Sequence, residues 1–157
     1  MSDTEKQNND EIDALLTEKY KNKEPGKQKG RMYFGAPVQE AIVDYNSTDN
    51  EAIRNKIYAG QIHFAIDKLA ENIINTFKFP YFDVPFIDVQ QEVVSFLVMN
   101  LHKYDHTKGS KAFSYFSVVA KNYLILHNNS HYKKIFNDFN SNGYINMDKL
   151  KKNNIFF

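Results

Sequence analysis

From about Asn50 to Phe79 the apolar residues fall at Ile53, Ile57, Ile62, Ala65, Ile66, Leu69, Ile73 and Ile74, and no proline intervenes before Pro80. Steps of three, four and seven residues return a side chain to one face of a helix, whereas a half-buried strand alternates every second residue. Strand-type alternation persists nowhere else in the chain, and no internal repeat is visible. The expected fold is therefore all-α, with Gly60 marking a joint within the long run. At 157 residues the chain has the length of one domain, and thirteen phenylalanines can furnish a substantial core.

The remaining segments divide the chain into three parts. Residues 1–36 read as a flexible N-terminal segment: Ile12, Leu15 and Leu16 could make a short amphipathic turn, and Lys19–Arg31 is a charged linker with proline and glycine. Helical structure begins at Pro37, a residue suited to a first turn, with Val38, Ala41, Ile42 and Tyr45 following at helical spacing. Ser47, Thr48 and Asp49 break this segment and can cap the next. Pro80 and Pro85 bracket an aromatic loop, Asp88 is a candidate N-cap for a helix reaching Lys103, and another helix runs from about Lys111 to His127 and on, bent, through Phe139. The helical domain thus spans 37–139, and 140–157 is a C-terminal tail.

Several function classes lose support at once. Twenty basic and nineteen acidic residues nearly cancel, so any electrostatic footprint must be local. No cysteine is present, which excludes disulfides and thiolate metal sites. The polar, acidic start is unlike a signal peptide and no apolar run approaches the ~20 residues of a membrane span, so a soluble, intracellular-type chain is expected. No nucleophile–base constellation stands out, and the five histidines have neither metal nor catalytic spacing; His127 and His131 lack a nearby carboxylate in the sequence. The expectation is a protein that is not an enzyme and needs no cofactor or metal.

Two patterns carry more information. At 100° per residue, Asp88, Gln91, Glu92, Ser95, Met99 and His102 fall within one stripe about 100° wide, while Val89, Val93, Phe96, Leu97 and Leu101 lie on the other side. Such a stripe is either a solvated face or a docking surface, and Met99 at its centre suits the second. The other pattern is "LHKYDHTKGSKAFSYF", residues 101–116, where a basic, glycine-containing turn leads into a dense aromatic cluster. Either those aromatics are core, as the helical spacing of Phe113, Phe116 and Ala120 allows, or the segment meets something flat and negatively charged.

The stretch "DVQQEVVSFLVMNLHKYDHTKGSKAFSYFSVVAKNYL" resembles the second conserved region of bacterial RNA polymerase sigma factors. In that family an Asp-apolar-x-Gln-Glu helix precedes an aromatic-Asp pair, a basic turn with glycine and an aromatic-rich helix. Asp88, Gln91 and Glu92 match the first group, Tyr104-Asp105 the pair and Gly109 the turn; Phe113 stands one residue later than in most members. The similarity is greater to the small sigma factors that T-even-type phages use for late transcription, and covers roughly residues 37–127. The resemblance implies a compact helical domain that docks on a coiled coil of the largest subunit of the host RNA polymerase core through Asp88, Gln91, Glu92, Ser95 and Met99. It also implies that Lys108, Lys111, Phe113, Tyr115, Phe116, Lys121, Asn122 and Tyr123 hold the non-template strand of a melted, AT-rich promoter in the cytoplasm of an infected bacterium. Of these, Tyr115, Asn122 and Tyr123 are the better candidates for reaching bases, and at least one phenylalanine is expected in the core.

Near the C-terminus "DFNSNGYINMDKL" imitates a calcium-binding loop, with Asp138, Asn140, Asn142, Gly143 and Ile145 at loop positions. The twelfth position, where a bidentate glutamate belongs, is Lys149, so a turn rather than a calcium site is expected. The sequence ends in Ile155, Phe156 and Phe157 after a basic spacer. The family resemblance implies that this end contacts a phage sliding clamp, with a late co-activator as a further partner; folding back onto the domain is the alternative. Two rival classes remain, a nucleic-acid-binding accessory protein outside the polymerase and a calcium-responsive helical protein.

Overall fold

The computed structural model describes residues 2–24, 33–77 and 84–142, with side chains described through Ser130. The elements are α1 (Asp3–Tyr20), α2 (Ala36–Ser47), α3 (Glu51–Ile57), a π-helical turn (Tyr58–Ile62), α4 (His63–Phe77), α5 (Phe86–Met99), 3-10 turns at Leu101–Lys103 and His106–Lys108, and α6 (Ala112–Asn142). No strand occurs among the described residues, and the fold is all-α.

The helices α4, α5 and α6 pack pairwise, α2 rests on α3 and the π turn, and α1 covers α3. The core takes one stripe from each: Val38, Ala41 and Ile42 of α2, Ala65, Ile66, Leu69, Ala70 and Ile74 of α4, Val89, Val93, Val94 and Leu97 of α5, and Ala112, Phe116, Ala120 and Leu124 of α6. Each side chain the size of valine or leucine contributes about 1.5–3 kcal/mol when removed from water. The long run from Asn50 holds together at Gly60 without a break. Ile57 and Ile62 are five residues apart, which in a plain α-helix would place them about 140° apart. The π turn absorbs the extra residue, and both isoleucines are fully buried.

Cap positions differ from the sequence expectation in two places. Asn50, not the Ser47–Asp49 triplet, caps α3: its side chain accepts from the backbone N–H groups of Ala52 (3.1 Å) and Ile53 (3.3 Å). The Thr48 hydroxyl in turn accepts from the Asn50 N–H at 3.1 Å. At the start of α5 the cap position is Pro85, and Asp88 lies in the first helical turn, where a carboxylate is favoured by the exposed N–H groups.

The larger correction concerns residues 1–36, read from the sequence as a flexible segment. Residues 3–20 are a helix, opened by a reciprocal capping box in which Ser2 and Glu5 bond each other's backbone N–H. Leu16 and Tyr20 enter the core. The Tyr20 hydroxyl donates to Asp44 Oδ2 at 2.6 Å, and Lys19 reaches Asp44 and Glu40, both at 2.6 Å. Burial, reinforced by the Asp44 carboxylate, pushes the Tyr20 phenol far above its ordinary range, so it remains a donor. The sequence shows few apolar residues here, and Leu15 is indeed exposed; α1 is held by polar bonds to α2 that local periodicity does not reveal.

The linker from residue 25 to Met32 and the loop 78–83 lie outside the described residues, as do 143–157, with most of the calcium-loop-like stretch and the Ile155–Phe157 end.

Candidate polymerase-docking and nucleic-acid surfaces

The stripe on α5 faces outward. Asp88, Gln91, Glu92, Ser95 and Met99 are all exposed, as is His102 just beyond the helix, and Met99 is 69% accessible. Burial of Val89, Val93 and Leu97 on the opposite side fixes this orientation. The neighbouring Gln90 belongs to the interior and donates to the Asp67 carbonyl of α4 at 3.1 Å. Ile87, four residues before Gln91 and 55% exposed, extends the stripe with an apolar side chain that the sequence reading passed over.

The connection from α5 to α6 is a built turn rather than a slack loop. Tyr104 is buried, and its hydroxyl donates to the Ser110 carbonyl at 2.8 Å, closing the turn from inside. Asp105 Oδ1 accepts from the Thr107 N–H (2.9 Å) and hydroxyl (2.6 Å). These hydrogen bonds, the side-chain one foremost, hold the Asp105 carboxyl below the usual carboxylate range. Gly109 has φ +85°, a left-handed conformation that L side chains rarely adopt. Gln39 of α2 accepts from the Ala112 N–H at 2.9 Å and fixes where α6 begins. His102, Lys103, His106, Lys108 and Lys111 are all exposed around this turn, a local basic patch on a chain of near-zero net charge.

The aromatic candidates separate into distinct environments. Phe116 is fully buried, with ring contacts to Phe34 (6.3 Å), Tyr104 (5.9 Å) and Tyr115 (5.1 Å); it is a core residue and is not presented to a ligand. Phe113 is 43% exposed and meets the edges of Tyr33 (6.3 Å) and Phe34 (5.9 Å). Tyr115 is half-buried beside Tyr104. Lys121 and Asn122 are exposed, the Lys121 ammonium lying 4.7 Å from the centre of the Phe77 ring. The sequence ranked Tyr115 and Tyr123 ahead of Phe113 for reaching bases; in accessibility the order is reversed.

Tyr123 points at α5. Its ring stacks on Phe96 with centroids 4.6 Å apart and planes at 27°, and its hydroxyl donates to Glu92 Oε2 at 3.4 Å. Burial first and the Glu92 carboxylate second raise its phenol pKa. His127 Nδ1 lies 3.3 Å from the same Glu92 oxygen, and its ring is tilted against Tyr123 at 6.1 Å. The expectation that His127 lacks a carboxylate neighbour is therefore corrected: the partner stands thirty-five residues earlier in the chain, beyond the reach of spacing arguments. The polar α5 stripe and the aromatic helix thus meet at Glu92.

A cavity of about 410 Å³ opens between α1 and α3, lined by Ala14, Leu16, Tyr20 and Ile53 with Asp13 and Lys56 among its polar residues; none of the sequence-derived candidates lines it. Among the described residues no three His, Asp or Glu side chains converge as a metal site, and no helix is long and apolar enough to cross a membrane. The Ile155, Phe156 and Phe157 candidates lie outside the described residues. Comparison of the chain with protein-family models, with curated proteins and with solved structures returned no match.

Proposed function

We propose that this chain is a sigma-type specificity factor, of the kind phages use for late transcription, that docks on a bacterial RNA polymerase core and helps it hold a melted AT-rich promoter. The observation that carries the reading is the pairing of two outward surfaces on one core. One is the polar α5 stripe of Asp88, Gln91, Glu92, Ser95 and Met99; the other is the lysine-rich turn that leads into Phe113. The carboxylates suit arginines of a partner helix pair, and Met99 adds an adaptable apolar contact. Lys108, Lys111 and Lys121 suit phosphates, while Phe113 offers a ring to an unpaired base, with Tyr115 and Tyr123 available if their present contacts open. Stacking at ~1–3 kcal/mol per base offsets an unpairing cost of a few kcal/mol once two or three bases are held. The Ile155–Phe157 end is assigned to a sliding clamp, and the site of action to the cytoplasm of the infected host.

Co-purification with core polymerase, followed by run-off transcription from pre-melted and duplex AT-rich templates, tests the proposal. Charge reversal at Asp88 and Glu92 together should abolish polymerase binding with helicity unchanged. Nucleic-acid binding without any polymerase association would assign the chain instead to an accessory protein outside the polymerase.

A further inference from the structure

We propose that the cavity between α1 and α3 is a docking groove for an amphipathic helix of a partner protein, one that carries a basic and an acidic residue two turns apart with apolar residues between them. The groove shares no residue with the α5 stripe or the basic turn, so the inference stands apart from the polymerase reading. Its volume of about 410 Å³ is that of a formed binding site. Leu16, Tyr20 and Ile53 make an apolar floor, and Ala14 and Ala52 line it with side chains short enough to let another backbone approach.

The charges give the groove a direction. Asp13 Oδ1 accepts from the Thr48 hydroxyl beside the start of α3, and Lys56 donates to the Lys21 carbonyl at the end of α1, at 3.4 Å. The two helices therefore run the same way. The stretch of α1 from Asp13 to Lys21 separates the carboxylate at one end of the groove from the ammonium at the other by about 12 Å, given the helical rise. Asp13 and Lys56 both line the cavity, and neither has an ion-pair partner among the described residues. On a helix, residues i and i+7 lie about 10.5 Å apart on nearly one face, with i+3 and i+4 between them. A helix with lysine at i, leucine at i+3 and i+4, and glutamate at i+7 sets its basic end on Asp13, its acidic end on Lys56 and its apolar stripe on the floor. A small apolar ligand, or a helix with two like charges, leaves at least one of the two unanswered.

The test uses the full chain with 13C-methyl-labelled alanine and isoleucine, titrated with an alanine-rich helical peptide of about twenty residues that carries those four side chains at that spacing. At up to millimolar concentration the peptide should shift the Ala14, Ala52 and Ile53 methyl resonances. Replacing its glutamate by lysine should weaken the response at least about twofold. In Lys56→Glu the preference should reverse, the dilysine peptide binding better than the original. Ala52→Leu, which fills the groove, should abolish the response with helicity unchanged, and Ala14→Leu repeats the measurement should that variant fail to fold. No response to the peptide, or no reversal in Lys56→Glu, overturns the proposal. So do the same shifts produced by raising protein concentration without peptide, which would assign the groove to a second copy of the chain.

Discussion

Phe113 and Phe116 stand three residues apart on the same helix, and alanine at each should fail in a different way. Phe116 is fully buried among Phe34, Tyr104 and Tyr115, so Phe116→Ala leaves a ring-sized cavity and should cost about 3–5 kcal/mol. Against a typical domain stability of about 5–15 kcal/mol that is a large fraction, and with a urea slope of about 2 kcal/mol/M the midpoint should fall by about 2 M. Phe113 is 43% exposed and keeps two edge contacts, so Phe113→Ala should cost only about 1–2 kcal/mol. Its loss should appear instead in binding. One stacked base is worth ~1–3 kcal/mol, a drop of about 5- to 150-fold in affinity for AT-rich single-stranded DNA. Urea unfolding followed by circular dichroism, with fluorescence anisotropy of a labelled oligonucleotide, reads both quantities on the same preparations. If Phe116→Ala loses DNA affinity at an unchanged midpoint, or Phe113→Ala unfolds early and binds normally, the division of the cluster into core and surface is wrong.

Asp44→Ala should cost about 2–3 kcal/mol, mostly through the buried Tyr20 hydroxyl left without its acceptor and little through the partly exposed Lys19 pair; faster amide exchange along α1 with α6 unaffected is the expected signature, and uniform exchange would refute it. The lowered Asp105 pKa means that its contribution to the turn is present above the usual carboxylate range and lost as pH falls through its depressed folded value. An NMR titration should find that low value, and Thr107→Ala should raise it; no change would remove the hydrogen bonds as its cause. Replacing Tyr115 and Tyr123 with alanine should impair transcription from duplex promoters more than from pre-melted ones, whereas equal losses would indicate a packing defect or, through the Tyr123–Glu92 contact, a docking defect. Deleting residues 155–157 should spare melting temperature and basal initiation and remove only clamp-dependent stimulation; a destabilised protein with parallel losses would retire the clamp assignment.

The sequence by itself determined the fold class and the inward faces of its helices. Spacings such as Val38–Ala41–Ile42 or Ile66–Leu69–Ile73 state which side of a helix avoids water, and hydrophobic burial obeys that statement almost regardless of neighbours. For the same reason the outward placement of Asp88, Gln91, Glu92, Ser95 and Met99 was legible: it is the complement of the buried face. What only the tertiary structure decided are contacts between residues distant in the chain. That α1 docks through Tyr20 and Lys19 on Asp44, that Gln39 caps α6, and that His127 and Tyr123 converge on Glu92 leave no periodic trace in the sequence. These are single directional bonds, each requiring two particular atoms within hydrogen-bonding distance, and no local pattern specifies them. The aromatic cluster lies between the two cases. Its spacing admitted both core and surface, and the choice between Phe116 and Phe113 fell to whichever ring Phe34 and Tyr104 could enclose.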